Sequence, residues 1–189
     1  MGIRSMSAFT LRDAGPADIP AITAIYRHAV LHGTATFEVT PPDEAEMATR
    51  MQTLLTQGYP YIVAVSAAGE VVAYAYAGPF RTRPAYRWSV EDSIYIDPGH
   101  HGKGIGRALL TRLLELCTEK GFRQMIAVIG GSDHAPSIRL HERAGFAMIG
   151  VFEGSGFKFG RWIDTVFMQM RLGDGRHSLP DEHRYPGTM

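Results

Sequence analysis

His100-His101-Gly102-Lys103-Gly104-Ile105-Gly106-Arg107 lies between a strand-like run, Val90 to Ile96, and an apolar-periodic stretch that opens at Ala108-Leu109-Leu110. Glycines at alternate positions let the main chain turn tightly with no Cβ in the way. Their N–H groups then converge on a helix N-terminus, where the macrodipole also favours an anion. Strand, glycine turn and helix together predict a phosphate cradle for a pyrophosphate-bearing cofactor; a glycine-rich connection with no ligand is the alternative. The G-x-G-x-x-G of a dinucleotide unit would follow the first strand and have an acidic ribose partner downstream, whereas this turn lies mid-chain. The nucleoside triphosphate pattern G-x-x-x-x-G-K-[ST] is not present either.

Periodicity sets the elements around that turn. Phe9 to Arg12 reads as a strand, and Ala17 to Leu31 as a helix on Ile19, Ile22, Tyr26 and Val30, stopped by Gly33. A second helix spans Pro42 to Gln57. Tyr61 to Ser66 and Val71 to Tyr76 flank Ala67-Ala68-Gly69-Glu70 as a hairpin. Gly78 to Tyr86 is a loop. The helix after the glycine turn runs to about Lys120 with Ile105, Leu109, Leu113, Leu116 and Cys117 in one stripe. A strand at Arg123–Ile129 and a short helix at Pro136–Arg143 follow. The last strands, Phe146–Phe152 and Trp162–Leu172, are joined by the glycine-rich Glu153–Arg161. The order is β-α-α-β-β-β-α-β-α-β-β, an α/β (α+β) chain.

At 189 residues, 45% hydrophobic and 20% charged, the chain suits one soluble domain. We expect an N-terminal extension over 1–8, a single domain over 9–172 and a polar, loosely held tail over 173–189. Nineteen basic and nineteen acidic residues balance, so no net field gathers nucleic acid or an anionic membrane. No segment approaches a membrane span, and Met1 to Thr10 lacks the apolar run of a signal peptide. The one cysteine, Cys117, cannot form an internal disulfide and sits on an apolar helix face. It reads as a core residue of a cytoplasmic protein. His100, His101 and His134 raise a metal site, but two lie in the glycine turn and no carboxylate–histidine spacing supports zinc, so none is expected.

With these residues in view, the chain resembles the GNAT acetyltransferase superfamily. Its signature, [Q/R]-x-x-G-x-[G/A] after the fourth strand and a short helix ending in Gly-Phe, corresponds to His101-x-x-Gly104-x-Gly106 and to His134 through Phe146. The nearer resemblance is to the phosphinothricin and methionine sulfoximine acetyltransferases. It rests on Trp88 to Ser93, Ala127 to Gly130, Ser137 to Glu142 and Phe157 to Asp164. It implies a mixed, mostly antiparallel seven-stranded sheet flanked by about four helices, acetyl-CoA-dependent N-acetylation, and commonly a homodimer. Two positions depart from the family pattern. His101 replaces an Arg or Gln, and His134, or its neighbour Asp133, stands where an Asn usually meets the cofactor.

Carried over by position, the resemblance assigns the diphosphate to Gly102, Lys103, Gly104, Ile105, Gly106 and Arg107, with His101, His134 and Ser137 beside it. Ile94, Tyr95 and Ile96 are to pair along the pantetheine arm. Glu91 and Ser93 share one strand face, opposite Val90 and Ile94. A carboxylate there can take the amine's proton directly or through water; a solvated charge or structural ion pair is the alternative. Asp92 points the other way and reads as structural, with an arginine as the expected partner, or else as part of the substrate site. His141 fills the slot of a tyrosine that protonates the leaving thiolate. It reads as that acid, as the base, or as a packed helix histidine.

Arg81, Thr82, Arg83 and Arg87 lie in the loop before the fourth strand. Guanidinium forks suit a carboxylate or phosphinate, so the loop reads as a substrate wall or as solvated charge. Phe37, Tyr74, Tyr76 and Phe80 floor the acceptor cleft or belong to the hairpin core. Phe157 to Trp162 lids the pocket or reaches across a dimer. The expected reaction is direct acetyl transfer from acetyl-CoA to the α-amine of a small amino acid analogue, with fourth-strand N–H groups facing the oxyanion. Acetylation of a protein N-terminus or polyamine, and a non-catalytic acyl-CoA-binding module, are the rival readings.

Overall fold

The computed structural model describes residues 9–183. One sheet holds β1 (Phe9–Asp13), β2 (Tyr61–Ser66), β3 (Val71–Pro79), β4 (Ser89–Ile96), β5 (Gln124–Gly130), β6 (Ala147–Lys158) and β7 (Arg161–Arg171). The strand order is β1-β2-β3-β4-β5-β7-β6. Every neighbouring pair is antiparallel except β4 with β5. The helices are α1 (Ile19–His32), α2 (Glu44–Thr56), α3 (Ile105–Glu119) and α4 (Ala135–Ala144). This is the expected element order, and the mixed seven-stranded sheet is present. None of the described helices is long and apolar enough to cross a membrane.

Two cores cover the two sheet faces because alternate strand residues point opposite ways. Ile62, Ala64, Ala73 and Val90 join α3 and α4 on one side. Tyr61, Val63, Tyr74 and Tyr95 join α1 and α2 on the other. On α3 the fully buried stripe is Leu109, Leu110, Leu113 and Cys117, so Leu110 takes the place expected for the half-buried Leu116. Asp43 caps α2, its carboxylate accepting the Glu46 N–H at 2.9 Å.

The end of the chain corrects the sequence reading. Glu153 to Lys158, expected in a connection, continue β6, and the turn is only Phe159-Gly160, with φ of 54° and 71°. Two successive positive φ values match the twist of a two-residue hairpin. The glycines that suggested a loop serve close approach instead: a Cβ on Gly156 would lie 2.7 Å from the Phe37 ring. The register slips between Met148 and Gly150 and between Phe152 and Gly156, so bulges absorb the extra residues. The start of the tail is tied down rather than loose, because Arg123 donates to the Ser178 hydroxyl at 3.0 Å and the Leu179 carbonyl at 2.9 Å. Residues 1–8 and 184–189, the rest of the expected extension and tail, lie outside the described residues.

Candidate active site

Strands β4 and β5 pair only at Ser89–Gln124, Val90–Met125 and Glu91–Ile126. Beyond Glu91 they diverge. β4 runs on to Ile96 against β3, and β5 runs on to Gly130 against β7. The fork leaves the inner edge of β4 past Glu91 without a strand partner. It opens into a groove of about 2220 Å³ bounded by α1, α3, α4 and the loop after β5. An unpaired strand edge is what an amide-bearing arm needs, since buried main-chain groups must find partners.

The glycine turn lies past the end of β4. Gly102 and Gly104 adopt φ of 75° and 78°, which side-chain-bearing residues avoid. Gly106 works differently: a Cβ there would sit 3.1 Å from the Ile96 side chain, so its lack of one lets α3 lie close against β4. The first hydrogen bond of α3 comes from the Ala108 N–H, to the Gly104 carbonyl at 3.1 Å. Among the described residues, the N–H groups of 102–107 meet no protein acceptor. Such orphan donors at a helix start fit an anionic diphosphate.

The two departing histidines have distinct surroundings. His101 Nε2 lies 3.1 Å from the Ile96 carbonyl and ties the turn back to β4. That carbonyl is therefore already engaged, whereas Ile94 and Tyr95 also lie along the open groove. His134 occupies the N-cap position of α4, and its Nδ1 is buried with no partner among the described residues. Burial holds its pKa below the ordinary value, against the opposing pull of Asp133, so it is neutral near pH 7. A neutral ring with one free buried nitrogen is equipped to bind a ligand. Asp133 is drawn to Arg161 at 3.3 Å, and Ser137 lines the groove from α4.

Glu91 stands at the crotch of the fork, half-buried and facing the groove. Burial, reinforced by the Asp92 charge and opposed by Arg81, raises its pKa to about 7. A carboxyl poised there exchanges protons readily near neutrality. Ser93, two residues on, lines the same face and pairs in register with Tyr76. Of the arginine loop, Arg81 is near enough to act on Glu91 and stacks over Phe80 at 4.6 Å. Arg81, Thr82 and Arg83 are all exposed and none of them lines the groove. Arg87 faces Glu182 at 3.5 Å, so it leaves the expected substrate wall. Phe37 and Tyr76 line the cleft, whereas Tyr74 is fully buried core and Phe80 packs on Tyr86.

On the other face of β4, Asp92 meets His141 and not an arginine. The pair is buried, with His141 Nε2 3.0 Å from Asp92 Oδ2 and Nδ1 2.8 Å from the Ser137 carbonyl. Both ring nitrogens are thus engaged inside the fold, which leaves neither for a thiolate or an amine. Burial alone would lower the His141 pKa, but the hydrogen bond and charge of Asp92 and the Ser137 carbonyl raise it. Cys117 is wholly buried and its thiol pKa is pushed up by burial, so it is no nucleophile. Among the described residues no group of three or more His, Cys, Asp or Glu is placed to hold a metal ion.

Residues 11–167 match the family model described as an acetyltransferase (GNAT) domain. The chain belongs to the GNAT acetyltransferase family. It is 48% identical over 174 residues to a phosphinothricin N-acetyltransferase of Alcaligenes faecalis, covering 92% of this chain and 88% of that one. It is 45% identical over 175 residues to an L-methionine sulfoximine/L-methionine sulfone acetyltransferase of Pseudomonas aeruginosa, covering 93% and 100%. Among solved structures it is similar to a GNAT superfamily phosphinothricin acetyltransferase from Sinorhizobium meliloti in complex with AcCoA. That likeness has a TM-score of 0.93 and 55% identity, over 96% of this chain and 98% of that one.

One part of this GNAT site shows in the sequence reading only at Phe37. The whole connection between α1 and α2, residues 33–37, lines the groove. Thr34 donates to the Gly130 carbonyl at 2.8 Å, and a Cβ on Gly130 would lie 1.9 Å from the Thr34 carbonyl oxygen. The contact joins residues far apart in sequence. Locally the sequence shows only the glycine pair Gly130-Gly131.

Proposed function

We propose that this GNAT acetyltransferase moves an acetyl group from acetyl-CoA to the α-amine of a small amino acid analogue of the phosphinothricin, methionine sulfoximine or methionine sulfone type. The observation that carries the reading is Glu91, with its raised pKa, at the point where β4 and β5 separate. The residue set fits acetyl-CoA: free N–H groups at 102–107 for the diphosphate, the open β4 edge at Ile94 for the pantetheine arm, and His134 and Ser137 along the opposite wall. When bound, acetyl-CoA supplies an activated acyl carbonyl as a thioester. Main-chain N–H groups on the open edge of β4 serve the carbonyl oxygen.

An amino acid enters with its amine protonated, and Glu91 removes that proton so that the lone pair is free to attack. The buried state of Cys117 favours direct transfer over an acyl-enzyme. The Arg81 charge acts on Glu91, and its guanidinium suits a carboxylate or a tetrahedral oxo group. The Asp92–His141 pair holds α4 against β4 and supplies the negative neighbour that helps keep Glu91 basic.

A homodimer accompanies this reading. Ile149, Phe152, Phe157 and Trp162, on the β6–β7 hairpin at the sheet edge, are 60–68% exposed, a patch that a second copy would cover. The lone buried thiol agrees with a reducing, cytoplasmic setting. The test is a coupled thiol-release assay with acetyl-CoA and phosphinothricin, methionine sulfoximine, methionine sulfone or methionine. Turnover of the analogues above methionine is expected. Turnover of none of them rejects the acceptor class.

A further inference from the structure

Lys158 is a buried cation at the end of β6, only 4% exposed. Its Nζ donates to the main-chain carbonyls of Gly33 at 2.8 Å and Thr36 at 2.9 Å. No carboxylate stands within ion-pair reach of it among the described residues. Burial holds the Lys158 pKa below the ordinary lysine value, with the Glu38 charge opposing only from beyond ion-pair distance, and a methionine of similar length would fill the space without that desolvation cost. The charge therefore needs a reason beyond packing. Two charge-assisted bonds to one short segment give it. The tight turn at Phe159-Gly160 keeps the amine in place, with the Phe159 ring centroid 5.0 Å from Nζ.

The segment so held bridges the fork. On one side Thr36 meets the hydroxyl of Tyr26 at 2.9 Å, and Tyr26 packs edge-on against Tyr95 of β4. On the other side Thr34 is bonded to Gly130 at the end of β5. Residues 33–37 thus form a strap from one diverging strand to the other, lining the groove on the same face as Glu91 and Ser93. Tyr26 holds the β4 end of the strap at Thr36, Thr34 holds the β5 end, and Lys158 bonds both Gly33 and Thr36 and so spans the strap.

We propose that Lys158 is a positioning residue for the acceptor, pinning the 33–37 strap as the wall against which the amino acid is held in front of Glu91. The inference rests on the acceptor lying at the Glu91 end of the groove. Loss of the pin loosens that wall and leaves the glycine turn at 102–107 untouched. Acceptor binding then suffers, while acetyl-CoA binding and the chemical step do not.

The test compares wild type with Lys158→Met, which keeps length and removes the donors, and with Thr34→Val, which removes the neighbouring pin. For Lys158→Met the acceptor KM should rise by about tenfold, with kcat within about threefold and the acetyl-CoA KM within about twofold. Amide hydrogen exchange should quicken at 33–38 and stay unchanged at 102–107. An acceptor KM within about twofold of wild type, or an acetyl-CoA KM rising in step with it, overturns the assignment. If Lys158→Met does not fold, Thr34→Val is expected to show the same split, and an unchanged acceptor KM in that variant overturns it equally. Failure of the wild type to acetylate any of the acceptors sinks the substrate reading instead. Exchange then decides the role of Lys158: faster exchange confined to 33–38 supports the pin, and no change refutes it.

Discussion

His141 Nε2 lies 3.0 Å from Asp92 Oδ2 while its Nδ1 lies 2.8 Å from the Ser137 carbonyl, so both nitrogens of one buried ring face acceptors. Two acceptors call for two N–H donors, which is the imidazolium. The folded-state pKa is accordingly raised. Stabilisation from this group is complete below its ordinary value of 6.5 and is lost as the pH rises through the higher folded value. Replacing His141 with Gln should cost about 3 kcal/mol at about pH 6, because it uncouples a buried pair. The gap to wild type should narrow as the pH becomes alkaline. Urea unfolding across pH checks this; a gap that widens with pH contradicts it.

The same substitution reaches Glu91. The Asp92 charge already raises the Glu91 pKa, and His141 offsets part of that charge. In His141→Gln the acid limb of the rate profile should move to higher pH. Removing Arg81, which lowers the Glu91 pKa, should move it the same way. Profiles of kcat/KM against pH for wild type, His141→Gln and Arg81→Ala test both shifts, and an unmoved or downward limb rejects the coupling.

A carboxyl whose pKa is held near neutrality by burial is unfavourable for stability at higher pH. Glu91 has a folded pKa of about 7 against an ordinary 4.5. The penalty is absent below the ordinary value, builds as the pH rises between the two, and is complete above the folded value. Glu91→Gln should therefore stabilise the protein by about 2–3 kcal/mol at about pH 8 and by little at about pH 4. Thermal unfolding at the two pH values measures the difference. Equal effects at both would mean that the carboxyl is not perturbed.

Gly104 offers a separate check on the anion site. Its Cβ position is open space, so Ala there meets no clash, only the strain of φ +78°. Gly104→Ala should cost about 1 kcal/mol of stability and weaken acetyl-CoA binding, because relaxing the strain re-aims the N–H groups at 102–107. Calorimetric titration decides: unchanged affinity for acetyl-CoA would remove the turn from the cofactor site.

Elements with strong periodicity were legible in the sequence, and so was the glycine turn that opens α3. The α3 stripe and the glycine turn are local patterns, and the fold brings them together as their spacing implies. The face of β4 carrying Glu91 followed from alternation alone. What escaped was long-range. Asp92 and His141 are 49 residues apart, and nothing near either names the other. The glycines of β6 were read as a loop because the sequence does not reveal Phe37 lying over Gly156. Lys158 looks like any surface lysine until the strand is extended to its true end. Arg87 belonged by sequence with Arg81, but the tail supplies its carboxylate.

Cys117 bears on direct transfer. It is fully buried among Leu109, Leu113 and Phe122 in one core, and its thiol is held protonated. Cys117→Ala should lose about 1–2 kcal/mol of stability and keep its turnover, since only packing is removed. Iodoacetamide should leave the folded enzyme active. Loss of turnover in the alanine variant at a temperature where it is folded would point to a covalent intermediate.

The most direct measurement sets turnover and acetyl-CoA affinity side by side in Glu91→Gln. The amide keeps the shape of the side chain and cannot take a proton. Turnover of methionine sulfone at about pH 7 should fall by about 10²-fold or more, while the Kd for acetyl-CoA stays within about twofold of wild type. Turnover within about threefold of wild type, or a loss of acetyl-CoA affinity matching the loss of rate, would contradict the placing of the base at the fork.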